Sequence, residues 1–294
     1  MATVWDLLKE TFSRWQEDNA ARLAAALSFY TIFSLSPLLI LLIGVVSLVW
    51  DPSAVEGQIL GQIEALVGEQ GADFVAGMME RRGSGGAGVL GTVVGVVTLL
   101  LGATGALTQL KAAMNRVWNV TEAPVEGILA VIRSRVLSFA MVLAIGFFLL
   151  VSLVLNAALS ALGGALEGLL PGSGALLWTL NTVLSLAVAS LLFATIFKVL
   201  PDVEIAWRDV AVGAVVTAVL FTLGKFLLGL YLGRSGVASA YGAAGALVLI
   251  LLWIYYSAQI LFMGAEFTEV YARRYGSQIT ALAESDGAEE PSAE

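Results

Sequence analysis

The side chains of this sequence that could do chemistry are polar groups placed within long apolar runs. Lys225 stands in "FTLGKFLLG", and Gln259 and Glu266 stand seven residues apart in a later run, so that a helix would carry both on one face, about 20° apart. Polar groups in such surroundings tend to face a bundle interior and to mark pathways for solutes or protons. The residues that we predict to line such a pathway are Ser28, Thr31, Ser34, Pro37, Asn156, Asn181, Lys225, Tyr256, Gln259 and Glu266.

Each of these polar residues also has a structural interpretation. Lys225 lies about eight residues, or roughly 12 Å at 1.5 Å per residue, from the outer end of its run, so its side chain could snorkel to the surface. Asn156 and Asn181 could form hydrogen bonds between helices, and Glu266 could pair with an arginine instead of coupling a proton. A stripe of small and polar residues favours a protein-facing lysine; its members are Ala214, Ala218, Thr222, Lys225 and Gly229.

Pro37 interrupts the first apolar run, "AARLAAALSFYTIFSLSPLLILLIGVVSLVW". Proline cannot donate a backbone hydrogen bond and obstructs the carbonyl of Phe33, so we expect this helix to kink or break near the middle of the membrane. Thr31, Ser34, Ser36 or water would then satisfy the freed backbone. Transporters use broken helices at binding sites, and ordinary packed bundles accommodate proline in the same way.

Composition restricts the chemistry that these residues could take part in. The chain of 294 residues is 59% hydrophobic and 13% charged, with a mean hydropathy of +0.89, which is typical of integral membrane proteins. It contains no cysteine and no histidine, so thiolate nucleophiles, disulfides and imidazole ligands are excluded. We therefore expect no metal site, no cofactor and no enzymatic activity.

An enzyme would have to rely on carboxylates such as Asp202, Glu204 and Asp209 in "LPDVEIAWRD", which in principle could bind Mg²⁺. The loop that carries them is about nine residues long, hardly enough to hold a metal and a substrate. A nuclease would also need a basic surface for phosphates, whereas the basic residues here are those that membrane topology alone requires. We thus place a nuclease or membrane lipid enzyme last and expect no nucleic-acid partner.

Six apolar runs are long enough to cross a hydrocarbon core of about 30 Å, which predicts an all-α integral membrane protein built as a six-helix bundle. Eleven Lys and Arg residues lie on one side of these runs and three on the other, so we expect both termini to be cytoplasmic. The glycines of "GTVVG" (Gly91, Gly95) and "GAAGA" (Gly242, Gly245) predict close helix packing. The six runs cover residues 23–50, 88–110, 136–159, 175–199, 210–232 and 242–265.

Two further segments have the spacing of amphipathic helices. The first outer loop, residues 51–87, repeats apolar residues near helical spacing and predicts one or two helices. The N-terminal residues 1–19 predict another, and both segments could lie on a membrane surface or pack against the bundle. The apolar stripe of the N-terminal segment is formed by Val4, Leu8, Phe12 and Trp15.

The chain ends in an acidic segment, "AESDGAEEPSAE". Its low hydrophobicity and high charge are typical of disordered segments. We therefore predict a membrane domain over residues 1–276 and a disordered cytoplasmic tail over residues 277–294.

Three segments carry a family resemblance: "LAAALSFYTIFSLSPLL", "KVLPDVEIAWRDVAVGAVVTAVLFTLGKFLLGLYL" and "ASAYGAAGALVLILLWIYYSAQILFMGAEFTEVYA". In this order and spacing they resemble the YihY/BrkB family of bacterial inner-membrane proteins. The resemblance implies six spans with both ends in the cytoplasm. The family was once labelled ribonuclease BN, now regarded as a misassignment, and otherwise carries a virulence or serum-resistance label with proposals of solute or lipid export.

The sequence thus favours a transporter or exporter that moves a small solute or a lipid-like molecule across a bacterial inner membrane. The alternative is an envelope-organising protein whose outer segment, residues 51–87, docks a partner while no solute crosses. The lipid bilayer is the one partner that both hypotheses require, and a homo-oligomer or an envelope partner is compatible with either.

Overall fold

In a computed structural model of the chain, the described residues are 4–46, 51–83, 105–120, 174–235, 244–276 and 280–281. These ranges are helical apart from turns, short connections and one pair of two-residue strands, β1 (Val203–Glu204) and β2 (Thr280–Ala281), which run antiparallel. The helices are α1 (Val4–Glu17), α2 (Ala20–Val46), α3 (Pro52–Val67), α4 (Glu69–Gly83), α5 (residues 105–117), α6 (Gly174–Val199), α7 (Trp207–Ser235) and α8 (Gly245–Tyr275).

Three helices in the described part of the chain are long and apolar enough to cross a membrane. They cover Trp178–Val199, Trp207–Tyr231 and Gly245–Tyr275, so the last three predicted spans are confirmed as helices of spanning length. The first predicted span is helical over residues 23–46, which belong to α2, and the second includes the start of α5. The third predicted span, residues 136–159, lies outside the described residues.

Helix α2 continues through Pro37, so the first span does not break there, and a kink at Pro37 stays a prediction. A proline removes one backbone hydrogen bond, and the other bonds of this 27-residue helix hold its two halves together. The turn before the proline also carries side-chain bonds: Thr31 Oγ1 donates to the carbonyl of Leu27 at 2.7 Å, and Ser34 Oγ donates to that of Thr31 at 3.0 Å. Such hydroxyl bonds help a spanning helix to tolerate proline.

The chain divides into two compact units. The first comprises residues 1–14, 114–222 and 263–294. The second comprises residues 15–113 and 223–262.

In the second unit, the predicted outer segment forms a hairpin of α3 and α4. Asp51 caps α3, because its Oδ1 accepts hydrogen bonds from the backbone N–H groups of Ser53 at 3.0 Å and Ala54 at 3.2 Å. Gly68 ends α3 with a positive φ of 81°, and its N–H donates to the Glu64 carbonyl at 2.8 Å. The two amphipathic helices allowed by the sequence are therefore present.

The apolar faces of this hairpin pack inside the second unit. Val75 and Met79 of α4 share a buried cluster with Ile32 and Leu39 of α2 and with Ile250 of α8. Residues of α3 pack against the same cluster; they are Ile59, Leu60, Ile63 and Val67. Of the two interpretations of the outer segment, the structure supports packing against neighbouring helices.

In the first unit, α1 packs on the spans. Leu7 is buried in a cluster with Phe267 and Val270 of α8, and Val212 and Val216 of α7 pack against it. The predicted N-terminal helix is confirmed by α1. Within the predicted tail, Thr280 and Ala281 form β2 and pair with β1, and residues 277–279 and 282–294 lie outside the described residues, so the disorder of the tail stays a prediction.

Candidate functional site

The hydroxyl groups of α2 bond to their own helix. Ser28 Oγ donates to the carbonyl of Ala24 at 2.7 Å, and Thr31 and Ser34 make equivalent bonds. Ser28 and Ser34 are buried and Thr31 is half-buried. Because each proton is already donated, these side chains can offer a solute or water only their oxygen lone pairs.

Gln259 of α8 carries a buried amide oxygen that accepts no hydrogen bond from any described residue. It lies fourteen residues after Gly245, near the middle of a helix of 31 residues. Leaving such a group unbonded in apolar surroundings costs about 1–3 kcal/mol. The oxygen therefore still has its capacity to accept a hydrogen bond, at a position near the middle of the helix.

Tyr256, one turn before Gln259, lies against the backbone of α7 at Gly224. A Cβ atom at Gly224 would stand 2.9 Å from Tyr256 Cε1 and 3.0 Å from its hydroxyl oxygen. Only glycine leaves room for the ring there. Of the predicted pathway residues, Tyr256 therefore contacts α7 at Gly224, the residue before Lys225.

Lys225 itself is exposed, and the expectation that it faces protein is wrong. The buried face of α7 passes through Ala214 and Ala218, as the stripe predicted, but it continues through Gly224 and Leu228. The remaining stripe members, Thr222, Lys225 and Gly229, are all exposed. The neighbours of α7 change along the helix, since Thr268 lies against Gly213 whereas Tyr256 and Ile260 lie against Gly224, and burial follows these contacts instead of the stripe.

Glu266 of α8 is fully buried, in the first unit of the chain. The nearby carboxylate of Glu269 is also buried and pairs with Arg273, one turn further along, at 3.5 Å. Asn181 is exposed on α6. In the described part of the chain, no hydrogen bond joins the α2 hydroxyls to Tyr256, Lys225 or Gln259.

Four of the other predicted positions lie outside the residues that the structure describes. Asn156, Gly91, Gly95 and Gly242 lie outside the described residues. Pro37 belongs to α2, and Gly245 is buried at the start of α8.

Helices α7 and α8 cross closely, a contact that was not predicted from the sequence. The Thr268 side chain lies where a Cβ of Gly213 would be, at 2.7 Å from Thr268 Cβ, and the Thr217 side chain lies against Gly264 in the same way, at 2.8 Å from Thr217 Cβ. Each threonine hydroxyl donates to the glycine carbonyl of its own helix at 2.6 Å. The signal was the repeated Gly-x-x-x-Thr of "GAVVT" and "GAEFT", since threonine is among the small residues that let helices approach.

The connection between α6 and α7 is held by polar bonds. Asn115 of α5 donates to Asp202 Oδ2 at 3.0 Å and accepts the Asp202 backbone N–H at 2.9 Å. Lys198 Nζ donates to the Ile205 carbonyl at 2.6 Å and lies 5.9 Å from the ring centre of Trp207. In the described ranges, no group of three or more carboxylates is arranged to hold a metal ion.

Comparisons with known proteins place the sequence among membrane proteins. The family model described as virulence factor BrkB matches residues 11–289. The chain is 29% identical to a UPF0761 membrane protein of Teredinibacter turnerae over 94% of its own length and 63% of that protein. It is 31% identical to one of Methylibium petroleiphilum (88% and 61%) and 30% identical to one of Pseudomonas aeruginosa (86% and 59%). The chain thus spans about three fifths of the length of these relatives. No solved structure matches it.

Proposed function

The chain belongs to the BrkB virulence factor family of membrane proteins, and from that premise we propose that it is a transporter or exporter. It moves a small solute or a lipid-like molecule across the bacterial inner membrane, through a polar pathway in its helices. Both termini face the cytoplasm in this proposal, because basic residues concentrate at the corresponding helix ends. These are Lys198, Arg208, Arg273 and Arg274.

The proposal depends above all on the amide oxygen of Gln259. A buried acceptor without a donor is disfavoured in apolar surroundings, and a polar group at the centre of a spanning helix is rare unless it serves a pathway. Water or a passing solute would supply the missing hydrogen bond. Tyr256, on the preceding turn, offers a second polar group where it packs against Gly224.

A transport role fits the chain better than an enzymatic one. Two of the three carboxylates considered for a metal have structural environments, since Asp202 bonds to Asn115 and Asp209 is buried where a side chain on Gly276 would strike it. Transport, unlike enzymatic activity, gives a role to the polar residues within the spanning helices.

The docking alternative would have to use the polar side of the α3–α4 hairpin. Its apolar residues are already packed against α2 and α8 in the second unit. Polar and acidic side chains are exposed on the described part of the hairpin; they include Gln58, Gln62, Glu64, Glu69 and Asp73.

Reconstitution tests the proposal. Vesicles containing the protein would be compared with empty vesicles for movement of chloride, potassium, glycerol and a fluorescent phospholipid. We expect faster movement of at least one probe, and we expect Gln259→Leu to remove that acceleration. Thr182→Val is the matched control, because Thr182 is exposed on α6 and bonds within its own helix at 2.8 Å. Equal rates with and without protein for every probe would contradict transport of these classes.

A further inference from the structure

We propose that α1 lies within the lipid interface of the membrane, on the side where α8 ends, with one face inserted among the lipids. This inference is independent of transport, since it concerns the N-terminal helix and its fixed position on the first unit.

The first observation is an exposed apolar face. Val4, Trp5, Leu8 and Phe12 have exposed fractions of 76%, 72%, 48% and 50%. At 100° per residue these four positions fall within an arc of about 100° on one side of α1. Four large apolar side chains on one side of a 14-residue helix form a contiguous patch of the kind that marks a membrane or protein contact.

The second observation is that a different side of α1 packs on the protein. Leu7 is buried against Phe267 and Val270, and Thr11 is buried with its hydroxyl donating to the Leu7 carbonyl at 2.9 Å. Leu7 therefore holds α1 on the spans from a side of the helix other than the exposed face.

Ion pairs fix the same helix at its polar side. Glu10 accepts from Arg273 at 2.6 Å and also pairs with Arg274, at the C-terminal end of α8. Together with Leu7, these contacts set both the position and the rotation of α1. Its apolar face is thus presented in one direction.

The position along α7 at which α1 packs agrees with the expected depth of the lipid headgroup region. The cluster that holds Leu7 includes Val212 and Val216 of α7. Val212 lies five residues after Trp207, where α7 begins, which is about 7.5 Å along the helix at 1.5 Å per residue. Trp207 is exposed, and an exposed tryptophan at the end of a spanning helix is typical of the headgroup level. An interfacial helix buries its apolar face about 5–10 Å into the boundary between headgroups and acyl chains, and Val212, the nearer of the two α7 residues in this contact, lies at that depth.

Lipid is the occupant that these observations favour. Exposed apolar side chains also stand on α7, the spanning helix on which α1 packs, at Val215 and Val219. The charged residues of α1 are Asp6, Lys9, Glu10, Arg14 and Glu17, two positive and three negative. The helix therefore has no basic face for anionic headgroups, and insertion should depend on apolar contact and not on anionic lipid content.

Site-directed spin labelling in vesicles tests this inference. The chain has no cysteine, so single cysteines can be introduced at Trp5 and Leu8, with Lys9 and Ser13 on the polar side as matched controls. Collisions with oxygen, which partitions into lipid, would be compared with collisions with a water-soluble nickel complex. The vesicles would contain phosphatidylcholine alone or mixed with phosphatidylglycerol.

We expect labels at positions 5 and 8 to collide several-fold more with oxygen than with nickel, and labels at 9 and 13 to show the reverse order, in both lipid mixtures. Nickel collisions at 5 and 8 equal to those at 9 and 13 would place the face in water and overturn the proposal. Protection of 5 and 8 from both reagents would show that a protein covers the face, and would overturn it as well. Thermal unfolding in detergent checks that each variant is folded, which we expect because the labelled side chains are exposed.

Discussion

The side chain of Thr268 in α8 fills the volume that a side chain on Gly213 of α7 would need. Thr268 is fully buried, so it cannot swing out of the way. The same relation holds between Gly264 and Thr217, which makes the crossing reciprocal. The two helices therefore approach each other closely at these two glycines.

Gly213→Ala should therefore destabilise the protein, because overpacking a tight core contact costs about 1–3 kcal/mol. Gly229→Ala on the same helix is the matched control: nothing lies within 4 Å of its Cβ position, and alanine favours a helix over glycine by up to about 1 kcal/mol. Tryptophan fluorescence during thermal unfolding in detergent measures both. Equal unfolding temperatures for the two variants would contradict the close crossing.

The ion pairs of Glu10 should orient α1 more than they stabilise the fold. Glu10 and Arg273 are partly exposed, and such pairs contribute about 0.2–1 kcal/mol. We expect Glu10→Gln to change unfolding by less than about 1 kcal/mol and to speed amide hydrogen exchange in α1. The double variant Glu10→Arg with Arg274→Glu should slow exchange again. Unchanged exchange in Glu10→Gln would show that Leu7 alone holds the helix.

Asn115 should stabilise the folded protein through its two hydrogen bonds with Asp202. Asn115 is buried, and Asn115→Leu leaves both the Asp202 N–H and its carboxylate without this partner, at a cost of about 1–3 kcal/mol. Asn119→Gly is the control, because Asn119 is exposed with a positive φ of 54°, a conformation that glycine adopts freely. Denaturation of the purified variants distinguishes them. A loss as large in Asn119→Gly as in Asn115→Leu would contradict the assigned role.

Asp51 gives the α3–α4 hairpin a dependence on pH. The Ser53 hydroxyl and then the Ala54 N–H, which both donate to its carboxylate, hold the pKa of Asp51 below the usual value of 3.8. A lowered pKa in the folded state means that the stabilisation is complete above the unfolded pKa and is lost as the pH falls through the folded one. Hydrogen exchange in the first turn of α3 should thus be protected equally from pH 7 to about 5 and lose this protection below about 4. In Asp51→Asn this acid-dependent step should vanish; its persistence would assign the step to another group.

The sequence predicted which segments are helical better than it predicted which side of each helix contacts protein or lipid. The runs at 175–199, 210–232 and 242–265 are helices of spanning length because length and hydropathy alone decide this property. The amphipathic period also predicted α1 and the helices of the outer segment. Whether such a face meets lipid or protein depends on neighbours far away in the chain, and for α3 and α4 those neighbours are α2 and α8.

The candidate site was harder to predict. The orientation of Lys225 depends on which side of α7 faces its partners. This is set by Gly213 and Gly224, each of which fits a particular side chain of α8, and by Thr217, whose side chain fits against Gly264. The Asn115–Asp202 bonds join residues 87 positions apart, a distance at which a single sequence gives no pairing signal. Gln259 was identified from its polarity within an apolar run, but only the structure shows that its oxygen is buried without a described donor.

The decisive measurement is the water accessibility of position 259. Gln259→Cys would be labelled with a membrane-impermeant thiol reagent in right-side-out and inverted vesicles, with Ala258→Cys as the neighbouring control, because Ala258 is only 4% exposed and apolar. A polar pathway predicts labelling at 259 from at least one side and none at 258. If position 259 stays unlabelled from both sides while a cysteine at exposed Lys9 reacts, the middle of α8 is dry, and the transport proposal is contradicted.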